Sequence, residues 1–381
     1  MPIYSIPTDF PSLAVAVASP LVVNGDTLQL EVGYNETLLT TLTINKDLYI
    51  TGGGIAPPYS TIRTAGGAGD PAIMITLNSP NFTTFVDLNF EHLKTTNTGT
   101  ERIFNSTGLR KLTLDGCNLN HMEFGVVGVY EDLTITNCVF RIDGITPLNQ
   151  NIHITLTGIK GDFLFDRITF DGLAGTTQTR FIALSANASF PMGNGGDCSV
   201  IVKNCSWDGT GNLATGVYFS RFDFMGTGLI NLDCRNNKWE IPNTGALGCY
   251  RFNSTGGETN ILNNFRNIRF SGNRHNTAGI GMLSAGGTGI QRPLGLIQGD
   301  WTICSNQIKS SISSGAYSIY HFCCPPEKKI FGVQNAVFVN PYPTSNPYQT
   351  YINCRPNPPR FILPKPGKYM INQHKYNRRL L

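Results

Sequence analysis

Nine eight-residue blocks of this chain superpose on one pattern: Leu48–Ile55, Val86–Leu93, Leu112–Leu119, Leu133–Phe140, Phe163–Phe170, Val200–Trp207, Leu232–Trp239, Ile268–His275 and Trp301–Ile308. Their first and third positions are apolar throughout, as in Leu112/Leu114, Phe163/Phe165 and Leu232/Cys234. Apolar residues at period two turn one face of a strand into a core. The fifth position is Gly or Asn in six blocks (Gly52, Gly116, Asn137, Asn204, Asn236, Gly272). Both residue types tolerate the left-handed backbone region, so a sharp bend is predicted there. The eighth position returns to bulk in every block except the one ending at His275. Each block therefore reads as strand, bend, and the start of a second strand. A fixed internal frame with a variable gap is the signature of a solenoid.

The gaps carry polar, Gly-rich and Thr-rich stretches such as 95–100, 172–179 and 286–289. They lack the amphipathic helices that βαβ crossovers need, so a helix-flanked sheet is rejected. The expectation is an all-β, right-handed parallel β-helix. Its sixth positions hold Cys117, Cys138 and Cys205, then Asn237, Asn273 and Asn306. Like side chains at one site on successive repeats can stack, so a cysteine ladder giving way to an asparagine ladder is expected. The cysteines lack Cys-x-x-Cys or Cys/His spacing and are read as packing thiols with no metal. Cys323 and Cys324, adjacent in sequence, are set apart from that reading.

Composition agrees with a turn-rich β-protein: 14% of the 381 residues are charged and 41 are glycine. The chain contains no apolar run of eighteen residues, so no transmembrane helix is expected. Its first twenty residues have no basic lead and are broken by prolines, unlike a secretory signal. The six Asn-x-Ser/Thr sites are accordingly read as turns and the cysteines as reduced.

Residues 8–18 read as a short helix with Asp9 as N-cap and Pro11 in the first turn, placed to cover the open end of the core. Strands at 27–30 and 41–44 follow. The segment Phe10–Gly54 resembles the opening of pectin-lyase-like β-helix proteins. The likeness rests on the apolar helix, Gly25-Asp26-Thr27, the Gly33–Glu36 turn and Ile44–Gly52 (INKDLYITG). Together with the repeat and the change of composition that follows it, three regions are expected: a cap over 1–45, the β-helix over 46–325, and an arm over 326–381. The likeness carries little about function, because this fold hosts many unrelated activities.

Enzymes of that family are lyases with Ca²⁺-binding acidic residues and an Arg or Lys base, or hydrolases with clustered aspartates and Gly-His-Gly. This chain has no Gly-His-Gly, no Asp-Asp pair and no Arg-x-Pro-x-x-Arg, and its six histidines form no constellation. The best constellation is the fourth position of the repeat: Asp115, Thr136, Asp166, Lys203 and Arg235. Asp115 and Asp166 would lie two rungs apart, about 9.6 Å, near the roughly 6.5–9.5 Å window of inverting glycosidases. Lys203 beside Asp166 favours the carboxylate, the wrong direction for a general acid. A neutralising charge ladder is the preferred account of Asp115, Asp166 and Lys203, with catalysis as the alternative. Loop aromatics Tyr218, Phe219, Phe222, Phe224, Tyr250 and Phe252 offer stacking surface for sugar rings.

The last segment changes character. Nine Lys/Arg and no Asp/Glu fall in 328–381, leaving twenty basic and twenty-five acidic side chains before it. Phe331–Asn340 still reads as strand; beyond it the Pro- and Tyr-rich chain reads as extended. Arg360, Lys365, Lys368, Tyr369, Lys375, Tyr376, Arg378 and Arg379 are the partner-binding candidates. Their charge suits an acidic neighbour protein, another copy included, or nucleic acid. With no cofactor implied, the expected role is a structural protein of a virion, a minor capsid, cement or spike component assembled in the host cytoplasm. A polysaccharide-binding or polysaccharide-cleaving protein is the alternative.

Overall fold

The computed structural model describes residues 1–53, 59–92, 101–121, 124–142, 151–171, 179–185, 198–208, 218–223, 230–241, 250–253, 265–277, 281–285, 301–304, 307–310, 318–321, 330–333 and 336–339. Among these the protein is almost all strand. The strands form one sheet of twenty and one of eleven, and every pairing is parallel. One helix, Leu13–Ala18, is present among the described residues. No helix among the described residues is long and apolar enough to cross a membrane.

The repeat predicted from sequence sets the register of the larger sheet. Leu112 pairs Leu133, which pairs Phe163, then Val200, Leu232, Ile268 and Trp301. The second block is the exception. Thr83, not Val86, stands beside both Leu48 and Leu112, so the true block begins three residues earlier, at Thr83. A threonine fills the apolar first position and Asp87 the bend, which hid the frame. Strands Ile330–Val333 and Ala336–Val339 extend both sheets beyond the last block.

Each repeat also holds a third strand that the block pattern did not contain. Leu42–Ile44, Ile73–Leu77, Asn151–Ile159, Thr179–Ser185, Tyr218–Asp223, Tyr250–Asn253, Gly281–Ala285 and Ser318–His321 belong to this series. It joins the block strands into one sheet through two long strands, Arg102–Asp115 and Phe124–Thr136. The front half of Arg102–Asp115 pairs Ile73–Leu77, and its back half pairs Thr83–Val86.

Five of the six predicted bends are left-handed; Gly52 is not, and glycine is needed there because an added Cβ would stand 2.0 Å from Asp87 O. Asn137, Asn204 and Asn236 have φ near +54°, and Gly116 and Gly272 are at +64° and +67°. Asp87 and Arg167 adopt the same conformation at φ +53° and +54°, costing about 1–2 kcal/mol each against an ordinary backbone. The strain is held by the ladder. The amide of each bend residue donates to the fourth-position carbonyl of the next rung: Asp87 N to Asp115 O at 2.9 Å, Asn137 N to Asp166 O at 3.1 Å, Arg167 N to Lys203 O at 3.2 Å.

First- and third-position side chains fill a continuous core with Phe85, Phe90 and Phe104 packed on one another at 5.0–5.5 Å between ring centroids. The sixth-position side chains run through it. Cys117, Cys138 and Cys205 are buried, but Ile168 interrupts the cysteine series. The asparagines then bond rung to rung. Asn237 Oδ1 accepts from Cys205 N at 3.0 Å, and its Nδ2 donates to Val202 O at 2.9 Å. Asn273 repeats this against Asn237 N and Cys234 O at 3.1 and 3.0 Å. Asn306 lies outside the described residues.

Burial raises the thiols of Cys138, Cys198 and Cys234 and pushes Cys205 up to about 12. Only the thiolate reacts readily. We therefore expect Cys138, Cys198, Cys205 and Cys234 to resist iodoacetamide at pH 8 in the folded chain and to label fully in denaturant. Peptide mass mapping reads the difference.

The helix is shorter than the expected 8–18. Ser12 is its N-cap, accepting from Val15 N at 3.2 Å. Leu13, Ala16 and Val17 turn into the core. Side chains from a strand and a bend hold its two ends: Glu36 accepts from Leu13 N, and Lys46 Nζ donates to Val17 O at 2.9 Å and Ser19 O at 2.6 Å. Asp9 has another task. Its carboxylate accepts from Ser5 N at 2.7 Å, and its amide donates to Ser5 O at 2.7 Å. Ser5 sits on the strand Ile3–Ile6, which among the described residues pairs only with Thr27–Leu30.

Candidate functional site

The fourth-position line exists as a column. Asp115, Thr136, Asp166, Lys203, Arg235 and Ser271 stand on successive rungs in register. Asp115 and Asp166 are two rungs apart, with Thr136 between them. The bend residues beside the column, whose recurring Asn was the only signal, join it into one network. Asp115 Oδ1 accepts from Thr136 Oγ1 and from Asn137 Nδ2, both at 2.7 Å. Asn137 Oδ1 accepts from Arg167 Nε at 2.6 Å. Asp166 receives Arg167 Nη1 at 2.7 Å, Asn204 Nδ2 at 2.9 Å and Lys203 Nζ at 3.6 Å, and its side chain is only 5% exposed. Farther along, Arg235 Nε stands 3.0 Å from Asp233 Oδ2.

At the other end, Asp87 lies against the Gly116 bend. A Cβ there would stand 2.3 Å from Asp87 Oδ1. Burial, then the charge of Asp115, raises the Asp87 carboxyl above its ordinary value. The network can neutralise charge and tie rungs together; Asp115 and Asp166 are already occupied by neighbouring side chains.

The aromatics expected on loops are in strands. Tyr218, Phe219 and Phe222 belong to Tyr218–Asp223, and Tyr250 and Phe252 to Tyr250–Asn253. Aromatic residues suit pleated strands, and their runs are short enough to pass for loop. Phe224 lies outside the described residues, as do Arg360, Lys365, Lys368, Tyr369, Lys375, Tyr376, Arg378 and Arg379. Among the described residues, no group of three or more His, Cys, Asp or Glu is placed to hold a metal ion.

The histidines read as scattered are not all apart. His92 and His121 are buried on adjacent rungs, linked by His92 N donating to Asn120 O at 2.9 Å. His92 Nε2 lies 3.1 Å from Pro71 O, and the His121 ring packs edge-on to Phe140. Burial first, then His92, lowers His121 from 6.5 to about 3. A lowered folded value means that the unfolded chain binds the proton first. The contribution to stability is present above about pH 6.5 and is lost as pH falls toward 3. It amounts to roughly 4 kcal/mol at the acid end. We expect His121→Leu to flatten the stability profile between pH 6.5 and 3, as read by urea unfolding at stepped pH.

No protein-family profile, curated protein or solved structure matches the chain.

Proposed function

We propose that the chain is a right-handed parallel β-helix of the pectin-lyase-like kind, capped at one end by Leu13–Ala18, and that it serves as a structural component of a virus particle. In this reading the rigid rod is a minor capsid, cement or spike element, and the basic segment 326–381 docks on an acidic neighbour. One observation carries the proposal: Asp115 and Asp166, the carboxylates best placed for chemistry, are spent on rung-to-rung bonds. The all-parallel sheets and the asparagine bonds between rungs support a stiff building element. The contrast between a basic end and an acidic remainder supports attachment by charge.

Mass spectrometry of purified particles tests it directly, and absence of the chain from them removes it. Asp166→Ala is expected to cost about 1–3 kcal/mol locally, by leaving charged partners uncompensated, and to change no activity in a glycan-array and reducing-sugar screen. A glycan-cleaving activity that collapses in Asp166→Ala favours the polysaccharide reading instead. Steeply salt-dependent nucleic-acid binding that vanishes on deleting 360–381 assigns the arm to nucleic acid.

A further inference from the structure

The outward face of the larger sheet is electrically divided. Position two of the repeat, one residue after the buried first position, points outward together with position four and the residue preceding the block. On the rungs of Leu112, Leu133 and Phe163 this face carries Asp115, Asp132 and Asp162 against one lysine, Lys111, while Asp166 of the same column is buried. Lys111 is paired to Asp132 at 2.8 Å. On the rungs of Val200, Leu232 and Ile268 it carries Lys203, Arg235 and Arg269 against one aspartate, Asp233. Lys203 and Arg235 stand directly side by side, an arrangement of like charges that destabilises a sheet unless countered. Asp166 serves Arg167 as well as Lys203, so the cations are incompletely matched within the chain. Between the halves, at position two of the two middle rungs, sit Leu164 and Ile201, register partners and both partly exposed.

We propose that this face pairs with the same face of a second copy. A two-fold axis along the strand direction, between the Leu164 and Ile201 rungs, reverses the order of rungs and keeps the strand position. It sets Leu164 of one copy over Ile201 of the other. It also lays each acidic half over a basic half, so that one operation satisfies both, as an isologous contact requires. The face from Leu112 to Ile268 spans roughly 17 Å by 29 Å, or about 500 Å² per copy. That is at the small end of specific interfaces. The dimer is therefore reversible and salt-sensitive, held by charge around a small apolar centre. The inference deepens the assembly reading above and rests on it.

Sedimentation velocity of the full chain tests it. A dimer is expected at about 50 mM salt and a monomer at about 500 mM, since exposed charges are screened over that range. Arg235→Glu with Arg269→Glu is expected to weaken dimerisation at least ~10-fold, and Thr134→Lys with Asp162→Lys to do the same. Mixing the two variants restores a heterodimer, because each reversed half then meets its opposite. Circular dichroism separates lost pairing from lost folding. A wild-type monomer at low salt, a dimer that both variants leave intact, or a mixture that fails to recover overturns the proposal. A monomeric chain still found in particles overturns the pairing alone and leaves the assembly role standing.

Discussion

Gly128→Ala is expected to lower stability by at least ~3 kcal/mol, through backbone strain and overpacking together. Gly128 has φ +126°, a region closed to side-chain-bearing residues, and sits beside Ser106 in the long-strand pair. A Cβ at Gly128 would stand 2.0 Å from Ser106 O and 2.7 Å from Ser106 N. Those atoms are backbone and cannot swing away. The ladder is already irregular here, with register shifts after Ser106 on one side and after Gly128 on the other. Yielding at this point would separate the rungs that fuse two strand series. Gly69→Ala is the control: nothing lies within 4 Å of its added Cβ, and the change is expected to stay within about 0.5 kcal/mol. Urea unfolding of both variants reads the contrast. If Gly128→Ala is insoluble, hydrogen exchange on a Gly128→Ala chain refolded from urea should show lost protection over 102–136.

The second large effect is expected inside the core. Asn237→Leu keeps approximate volume but strips the buried amide Cys205 N of its acceptor and removes a side-chain donor from Val202 O. A buried orphan costs about 1–3 kcal/mol and a lost bond about 1 kcal/mol, so the variant should lose about 2–4 kcal/mol. Asn273→Leu acts the same way on Asn237 N and Cys234 O. The two side chains also bond each other, Asn237 Nδ2 to Asn273 Oδ1 at 3.0 Å. The double variant should therefore cost less than the sum of the singles by roughly 1 kcal/mol. Strict additivity would show that the rungs are not coupled through these amides.

The sequence revealed period and bend because both are backbone requirements with few chemical solutions. Apolar first and third positions, with Gly or Asn at the fifth of every block but that of Phe163, set the register from Leu112 to Ile268. It failed at the second block because Thr83 and Asp87 meet the same demands with polar side chains. It also failed at Arg167, whose left-handed backbone is sustained by the bond from its amide to Lys203 O and not by residue type. Apart from Leu42–Ile44, the third strand series escaped because its members lack a shared frame: Ile73–Leu77 and Tyr218–Asp223 have no residue pattern in common, and only pairing aligns them. At the helix, Ser12 and Asp9 are both good caps in isolation. The choice depended on Ser5, four residues before Asp9, which needed a partner. For the candidate site, the column at position four was legible because register alone assembles it. The bonds from Asn137, Arg167 and Asn204 were not, because they depend on side-chain reach across rungs.

The closure of Ser5 by Asp9 bears on how such a chain can multiply. Strand Ile3–Ile6 gives its even-numbered groups to Thr27–Leu30, with Pro2 O and Ile6 O accepting from Thr27 N and Glu31 N. That leaves Ile3 and Ser5 facing outward, and Ser5 is taken at both its amide and its carbonyl. An incoming strand would find one residue to bond, too few to propagate a ladder. Lengthening of the larger sheet by a strand added along Ile3–Ile6 is thereby discouraged.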